Sequence, residues 1–252
     1  MKKVPVLQIS VVTAVFNREA TIAEAIGSVA AQDYGMVEHV IQDGGSTDGT
    51  LDVIRRIAGP DVSLQTVRDG GIYDGVNRGI VRTSGDVVGL MHSDDLFAAD
   101  DILSSVVAAF EDPAIDGVYG DLDYVAADDT SRIIRKWRSG PYSPEKLRMG
   151  WMPPHPTLYL RRAVFDRWGL YDTQFRISAD YDAMLRYLVR GRIRLAYVPR
   201  VFVKMRVGGE SNRSLRKIIR KSTEDYRAIR ANGLGGIGTL AAKNFSKLGQ
   251  FF

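Results

Sequence analysis

The sequence predicts an α/β fold on a mostly parallel sheet flanked by helices, and three observations predict it. Through the first 120 residues, short β-rich runs alternate with amphipathic segments, the rhythm that parallel strands joined by helical crossovers produce. The fourth run, Val87–Met91, is wholly apolar, as a strand covered on both faces must be. Each of the first four runs leads into Asn or Asp, at the carboxyl ends where open α/β sheets collect ligands.

Taken in order, Leu7–Val15 reads as the first strand, leading to Asn17. Thr21–Gln32 carries helical spacing through Ile22, Ala25, Ile26 and Val29, with Thr21 as N-cap ahead of Glu24. Val37–Gln42 is the second strand, and the turn Gly44-Gly45-Ser46 leads into a helix over Thr47–Ala58. A third strand, Val62–Val67, precedes a helix over Asp74–Val81, and the fourth strand precedes a helix near Asp101–Phe110. The rhythm then changes. Gly117–Val125 and Arg132–Trp137 read as neighbouring strands of a smaller mixed sheet, joined by the polar turn Ala127–Thr130. Gly140–Pro144 and Met152–Pro156 are Pro-rich loops. Thr157–Leu160 is a short strand, Ala179–Val189 a helix capped by Ser178, and Ile193–Val207 two β-like runs. Ser214–Ala231 is a basic amphipathic helix, followed by a Gly-rich tail from Gly233. These readings divide the chain into 1–120, 121–207 and a C-terminal extension, 208–252.

Composition narrows the function. Of 252 residues 45% are apolar and 25% charged, as in ordinary globular proteins. The absence of cysteine excludes disulfides, thiolate metal sites and a cysteine nucleophile, and fits a reducing compartment. Met1–Pro5 leads into a strand and not a signal peptide, and no run approaches the ~20 apolar residues that span a bilayer. The net charge of +4 conceals a split: 8 Lys/Arg against 22 Asp/Glu in 1–130 (−14), 26 against 8 in 131–252 (+18). An acidic first half suits a metal site. A basic second half suits a phosphorylated acceptor or an anionic membrane, or it is a solvated face.

Asn17, Asp43, Asp69 and Asp94-Asp95 follow four successive strands, which points to one shared site. Two adjacent carboxylates at the end of an apolar strand repel unless a cation or donors neutralise them. Mg²⁺ or Mn²⁺ commonly binds through one or two carboxylates plus substrate phosphates; the other reading is that the pair caps the following helix. Asp43-Gly44-Gly45-Ser46-Thr47-Asp48-Gly49-Thr50 lets backbone approach a ligand, with Asp43 able to accept hydrogen bonds from a base or ribose. Asp180 and Asp182 flank the stripe Tyr181, Met184, Leu185 and Leu188 on opposite sides, so one of them faces the cleft. His39 and His92 read as structural.

Thr13–Asn17, Asp43–Thr50, Asp69-Gly70-Gly71-Ile72-Tyr73-Asp74-Gly75-Val76-Asn77-Arg78-Gly79 and Ser93-Asp94-Asp95, in that order over roughly residues 6–207, resemble the motifs of family 2 glycosyltransferases. The likeness is to the bacterial enzymes of surface-polysaccharide assembly, with Gly75 and Val76 in place of that run's usual small and methionine residues. The resemblance implies a GT-A fold with a Rossmann-like sheet and inverting transfer from a nucleotide diphosphate sugar. It implies nucleotide-sugar contacts from Thr13, Asn17, Asp43 (to the base), Asp69, Arg78 and Asp94, and a divalent Mg or Mn held by Asp95 with Asp94. Asp180 matches the family's base, with Ala179 where a Glu is usual. His155, Asp182 and Arg206 are expected on the acceptor side, Arg206 in a Gly-rich closing loop, Lys204–Asn212. The implied acceptor is a saccharide or lipid-linked saccharide and no nucleic acid is involved. The place of action is cytoplasmic, with the basic helix and Phe251-Phe252 available to hold the inner membrane face.

Four rivals are weaker. A sugar nucleotidyltransferase needs a Gly-rich, basic N-terminal loop, which Phe16-Asn17-Arg18-Glu19-Ala20 is not, and a P-loop phosphotransferase fails because GxxxxGK(S/T) is absent. Gly233–Gly238 spells GxGxxG but follows a helix and lies too near the C-terminus for a dinucleotide unit. A non-catalytic basic membrane module would not need every strand-end acid.

Overall fold

The computed structural model describes residues 6–207 and 215–246, the latter with side chains from 218 to 244. Expectations for Met1–Pro5, Gly208–Ser214 and Phe251-Phe252, and for the Arg216 and Lys217 side chains, lie outside the described residues. The first strands are β1 (Ile9–Val15), β2 (Val37–Asp43), β3 (Val62–Thr66) and β4 (Val87–Leu90), with a short β5 (Leu96–Phe97). The others are β6 (Gly117–Val125), β7 (Ile133–Trp137), β8 (Tyr159–Arg161) and β9 (Leu195–Arg206). The order is β3-β2-β1-β4-β8-β6-β9-β5, with β7 paired to β6. The first four strands are parallel; β8 turns antiparallel between β4 and β6, and β9 runs parallel to β6.

Strand alternation explains how helices cover both faces. Ile9, Val11, Val87 and Met91 pack with α1 (Ile22–Ala30) and α4 (Ile102–Ala109). Val12, Val88 and Leu90 point the other way, towards α3 (Ile72–Arg82), α6 (Arg162–Trp168) and α7 (Ala179–Leu185). α2 (Thr50–Ile57) packs Val53 and Ile54 against Ile41 of β2, Val15 of β1 and Ile22 and Ile26 of α1. The C-terminal helices α8 (Leu215–Ala231) and α9 (Ile237–Ser246) join the larger core through Ala228, Ile229 and Leu234, and the short α5 (Pro144–Arg148) adds Leu147. Among the described residues, those after 214 that are buried and apolar belong to this larger core.

Several local expectations change. Ile193–Val207 is one strand, not two runs, with irregular register against β6 at Tyr119–Leu122. Ala179–Val189 divides into α7 and a π-helical turn, Arg186–Arg190. Thr21 makes no cap hydrogen bond, because its hydroxyl donates to the Ser93 carbonyl (2.9 Å) and ties α1 to the acid-bearing loop. The Ser178 hydroxyl makes none either; it is buried without a partner.

β2 carries a pH liability. His39 is buried with its Nε2 2.9 Å from the Thr13 hydroxyl, and burial pushes its pKa from 6.5 down to about 4. The unfolded chain takes up a proton there first, so this contribution is complete above pH 6.5 and lost as pH falls towards 4. A shift of that size corresponds to about 3 kcal/mol. His39→Gln should flatten the fall in melting temperature over that window; parallel profiles for variant and wild type would exclude His39 as its source.

Candidate functional site

The loops after β1 and β2 build each other. Asn17, in the left-handed region at φ 51, accepts the Thr47 amide on Oδ1 (2.8 Å), and its own amide donates to the Ser46 hydroxyl (2.9 Å). Asp43 is fully buried; its carboxylate accepts the amides of Gly45 (2.9 Å) and Ser46 (3.1 Å) and the Ser46 hydroxyl. Asp43 thus shapes the loop from beneath. Thr13, expected among the nucleotide contacts, is also fully buried, because its place in β1 turns it towards His39.

Asp69 follows β3 and lies over two glycines. A Cβ on Gly44 or Gly75 would come within 2.6 or 2.8 Å of Asp69 Oδ2, so both positions must stay bare for the carboxylate to sit there. Oδ1 accepts the Gly71 amide (3.0 Å), and Gly71 itself has φ 124, which admits glycine alone. Burial raises the Asp69 pKa, Asp74 and Asp43 add to the rise, and the Gly71 amide and Arg78 oppose it. Arg78 sits one turn beyond Asp74 on α3, 3.1 Å from its carboxylate, which also accepts the Gly70 amide. Asp69 thus stands between the β2 loop, through Asp43 and Gly44, and Arg78 of α3.

Asp94 and Asp95 leave β4 and divide their exposure. Asp94 is partly exposed, with Arg18 Nε 3.9 Å away. Asp95 is fully buried. Its Oδ1 accepts the Arg206 amide (3.2 Å), while Oδ2 stands 3.4 Å from His92 Nδ1 but makes no directed hydrogen bond. Burial raises the Asp95 pKa against the pull of His92. A buried carboxylate oxygen left without a donor is costly unless something else meets it. The hard oxygen donors and this orphaned atom fit Mg²⁺ or Mn²⁺. Among the described residues no three acid, His or Cys side chains converge to cage an ion.

Arg206 is corrected by the same geometry. It lies beneath the acid pair and not on the acceptor side, because β9 pairs antiparallel with β5 and delivers it there (Leu96↔Lys204). Its buried guanidinium donates to the Asp94 carbonyl (2.7 Å) and to Glu24 on α1 (2.6 Å). Arg206→Met, which keeps the stem and removes the donors, should cost about 2 kcal/mol. Chemical denaturation reads it; an unchanged midpoint would mean the acid-bearing loop holds itself.

Across the cleft, Asp180 at the start of α7 accepts the Tyr73 hydroxyl (3.2 Å), which also donates to the Ile177 carbonyl (2.8 Å). Burial, reinforced by Asp180, raises the Tyr73 pKa well above its usual value, so Tyr73 remains a protonated donor. Asp182 faces away: it is buried against Arg186 (3.2 Å) and Asn232 (2.9 Å). That removes it from the acceptor side, since two residues along a helix turn a side chain through about half a revolution. His155 Nε2 lies 2.9 Å from the Tyr171 hydroxyl, Tyr171 stacks on Tyr73, and burial pushes the His155 pKa down to about 4. It is neutral, and belongs to the wall beside Asp180.

Sequence reasoning missed His92 and Tyr73 as members of the site, although both lie inside its motifs. Burial pulls the His92 pKa down, but Asp95, Asp94 and Asp180 together outweigh it and raise the value. The His92 and His155 rings stand 6.0 Å apart. One imidazole therefore feels both the strand-end acid pair and the helix-end acid.

Residues 10–167 match the family model for glycosyl transferase family 2. An uncharacterized glycosyltransferase of Mycobacterium tuberculosis is 32% identical over 183 residues, 71% of this chain and 68% of that protein. A PGL/p-HBAD biosynthesis glycosyltransferase of Mycobacterium bovis is 30% identical over 185 residues, 70% and 68% of the two chains. Among solved structures, TarS of S. aureus superimposes with a TM-score of 0.67 at 17% identity, over 90% of this chain and 39% of that one. A mannosyltransferase from Pyrobaculum calidifontis, solved with GDP-Man and Mn²⁺, has a TM-score of 0.67 at 20% identity, over 94% and 69%.

Proposed function

This chain belongs to glycosyl transferase family 2 and has the GT-A fold, and from that membership we propose an inverting, metal-dependent transferase acting on a nucleoside diphosphate sugar. The observation that carries the reading is a line of contacts between the two groups of acids: His92 Nδ1 stands 3.4 Å from Asp95 and its ring 6.0 Å from that of His155, whose Nε2 is 2.9 Å from the hydroxyl of Tyr171, the ring stacked on the Tyr73 that donates to Asp180. Relatives solved with GDP-Man or with UDP-GlcNAc support a nucleotide-sugar donor.

In this reading the Asn17 loop, Asp69 and Arg78 form the nucleotide rim, and Asp94 and Asp95 would hold Mg²⁺ or Mn²⁺. When bound, that ion supplies neutralising charge to the leaving diphosphate. Asp180, kept in place by Tyr73, takes the proton from the acceptor hydroxyl as its oxygen bonds to the anomeric carbon and the bond to the diphosphate oxygen breaks. One displacement inverts the anomeric centre; retention would need a second carboxylate as nucleophile. A thermal-shift screen of UDP-, GDP- and dTDP-sugars with and without Mn²⁺ tests this directly. One nucleotide series should raise the melting temperature only with metal, and no response to any of them would reject the donor site.

The acceptor is proposed to be a saccharide or lipid-linked saccharide in bacterial cell-surface assembly, met at the cytoplasmic face of the membrane; the relative named for PGL/p-HBAD biosynthesis supports this. No described helix is long and apolar enough to cross a membrane. α8 turns Glu224, Asp225 and Ala228 inward and leaves Ile218, Ile219, Arg220, Arg227 and Arg230 exposed, a composition suited to an anionic interface. Co-sedimentation with phosphatidylglycerol vesicles should occur at low salt and fade at high salt; none at low salt would remove the membrane role.

A further inference from the structure

α7 begins without a cap hydrogen bond from its own Ser178 hydroxyl. The first amides of a helix need acceptors that the helix cannot supply. For the amide at the cap position, Ser178, and for the two before it, the acceptor comes from α8. Glu224, only 6% exposed, accepts the amide of Arg176 on Oε1 (3.2 Å) and those of Ile177 (2.8 Å) and Ser178 (3.0 Å) on Oε2. These three residues lead directly into Asp180.

The same segment is held from its other side. The Ile177 amide goes to Glu224 and the Ile177 carbonyl accepts Tyr73, whose hydroxyl also reaches Asp180. A continuous chain of hydrogen bonds thus runs from α8 through the 176–178 backbone to Tyr73 and Asp180. α8 is itself anchored. Buried Asp225 pairs with Lys243 of α9 and with Lys221, both at 2.8 Å, and Lys243 lies 3.1 Å from the centre of the Tyr181 ring. Burial works against the Asp225 charge, but Lys243 and Lys221 outweigh it and lower its pKa. Asn232 holds Asp182 on the next turn of α7.

We propose that Glu224 is a positioning residue for sugar transfer: its carboxylate fixes the backbone entry to α7 and thereby the placement of Asp180. The C-terminal helices are then part of the catalytic unit and not an appendage to it. This rests on the assignment of Asp180 as the base. Three backbone amides on one carboxylate define position in a way a single side-chain contact does not, and a misplacement of about 1 Å at a reacting group costs on the order of 10²-fold.

The test is steady-state transfer with the full chain for wild type, Glu224→Ala, Glu224→Gln and Asp180→Asn, with donor KM and thermal melting recorded for each. Glu224→Ala should lose about 10²-fold in kcat with donor KM within about 3-fold, since Asp180 lies away from the donor rim. Glu224→Gln keeps one acceptor oxygen for the Ile177 and Ser178 amides and should recover about 10-fold of that loss while staying folded. The proposal is overturned if either folded Glu224 variant keeps wild-type kcat. It is equally overturned if kcat and donor affinity fall together, or if Gln recovers nothing over Ala. Asp180→Asn separates the two claims: wild-type turnover in that variant rejects the base assignment whatever the Glu224 variants do.

Discussion

Asp180→Asn should lower sugar transfer by about 10²- to 10⁴-fold, the range a positioned general base supplies. The substitution is nearly isosteric, and the amide oxygen can still accept the Tyr73 hydroxyl, so the local fold should survive. What disappears is the capacity to take a proton. Among the described residues few candidates could replace it: Asp182 is committed to Arg186 and Asn232, and half-buried His155 is engaged with Tyr171. Release of nucleoside diphosphate, followed with saturating donor and acceptor, reads the effect. Turnover within about 3-fold of wild type would move the base elsewhere, since a loss that small is under 1 kcal/mol of transition-state stabilisation.

Asp95 is expected to show the opposite pattern. Asp95→Asn should abolish the metal-dependent part of donor binding, at least about 10-fold, because a neutral amide is a poor ligand for a hard cation and the diphosphate charge is left unscreened. The same change should leave the metal-free protein as stable or more stable, by about 1 kcal/mol, because it relieves a buried carboxylate with an unmet oxygen. Function and stability then move in different directions at one residue. Calorimetric titration with and without Mn²⁺, paired with melting in chelator, measures both. Unchanged affinity in Mn²⁺ would remove Asp95 from the metal site, and a large fall in melting temperature would mark it as a structural acid instead.

The parts legible in sequence were those governed by local pattern. Short β-rich runs marked the first four strands, the fourth wholly apolar, and β6 matches its expected bounds at Gly117–Val125. The placement of acids after successive strands follows from that reading alone. The missed elements are short or weakly patterned: β5 is two residues, α5 is five, and α9 follows the glycines at 233, 235 and 236. Side-chain direction was less legible because tertiary pairing sets it. Arg206 reads as a loop arginine until β9 is seen to cross beside β5. Thr13 and Asp43 lie inside motifs but turn inward, each meeting a partner the motif does not announce: His39 for one, the Gly45 and Ser46 amides for the other. Ser178 has the composition of a cap but makes no cap bond, while Glu224, far along the chain, accepts the Ser178 amide.

The central claim is a division of labour in one cleft, with the donor held at Asp94-Asp95 and the proton taken at Asp180. Calorimetric titration of the Asp180→Asn protein with Mn²⁺ and the nucleotide sugar that wild type consumes tests it most directly. The account predicts donor affinity within about 3-fold of wild type in a protein that no longer transfers sugar. Loss of donor affinity in step with turnover would contradict it, and would assign Asp180 to the donor site.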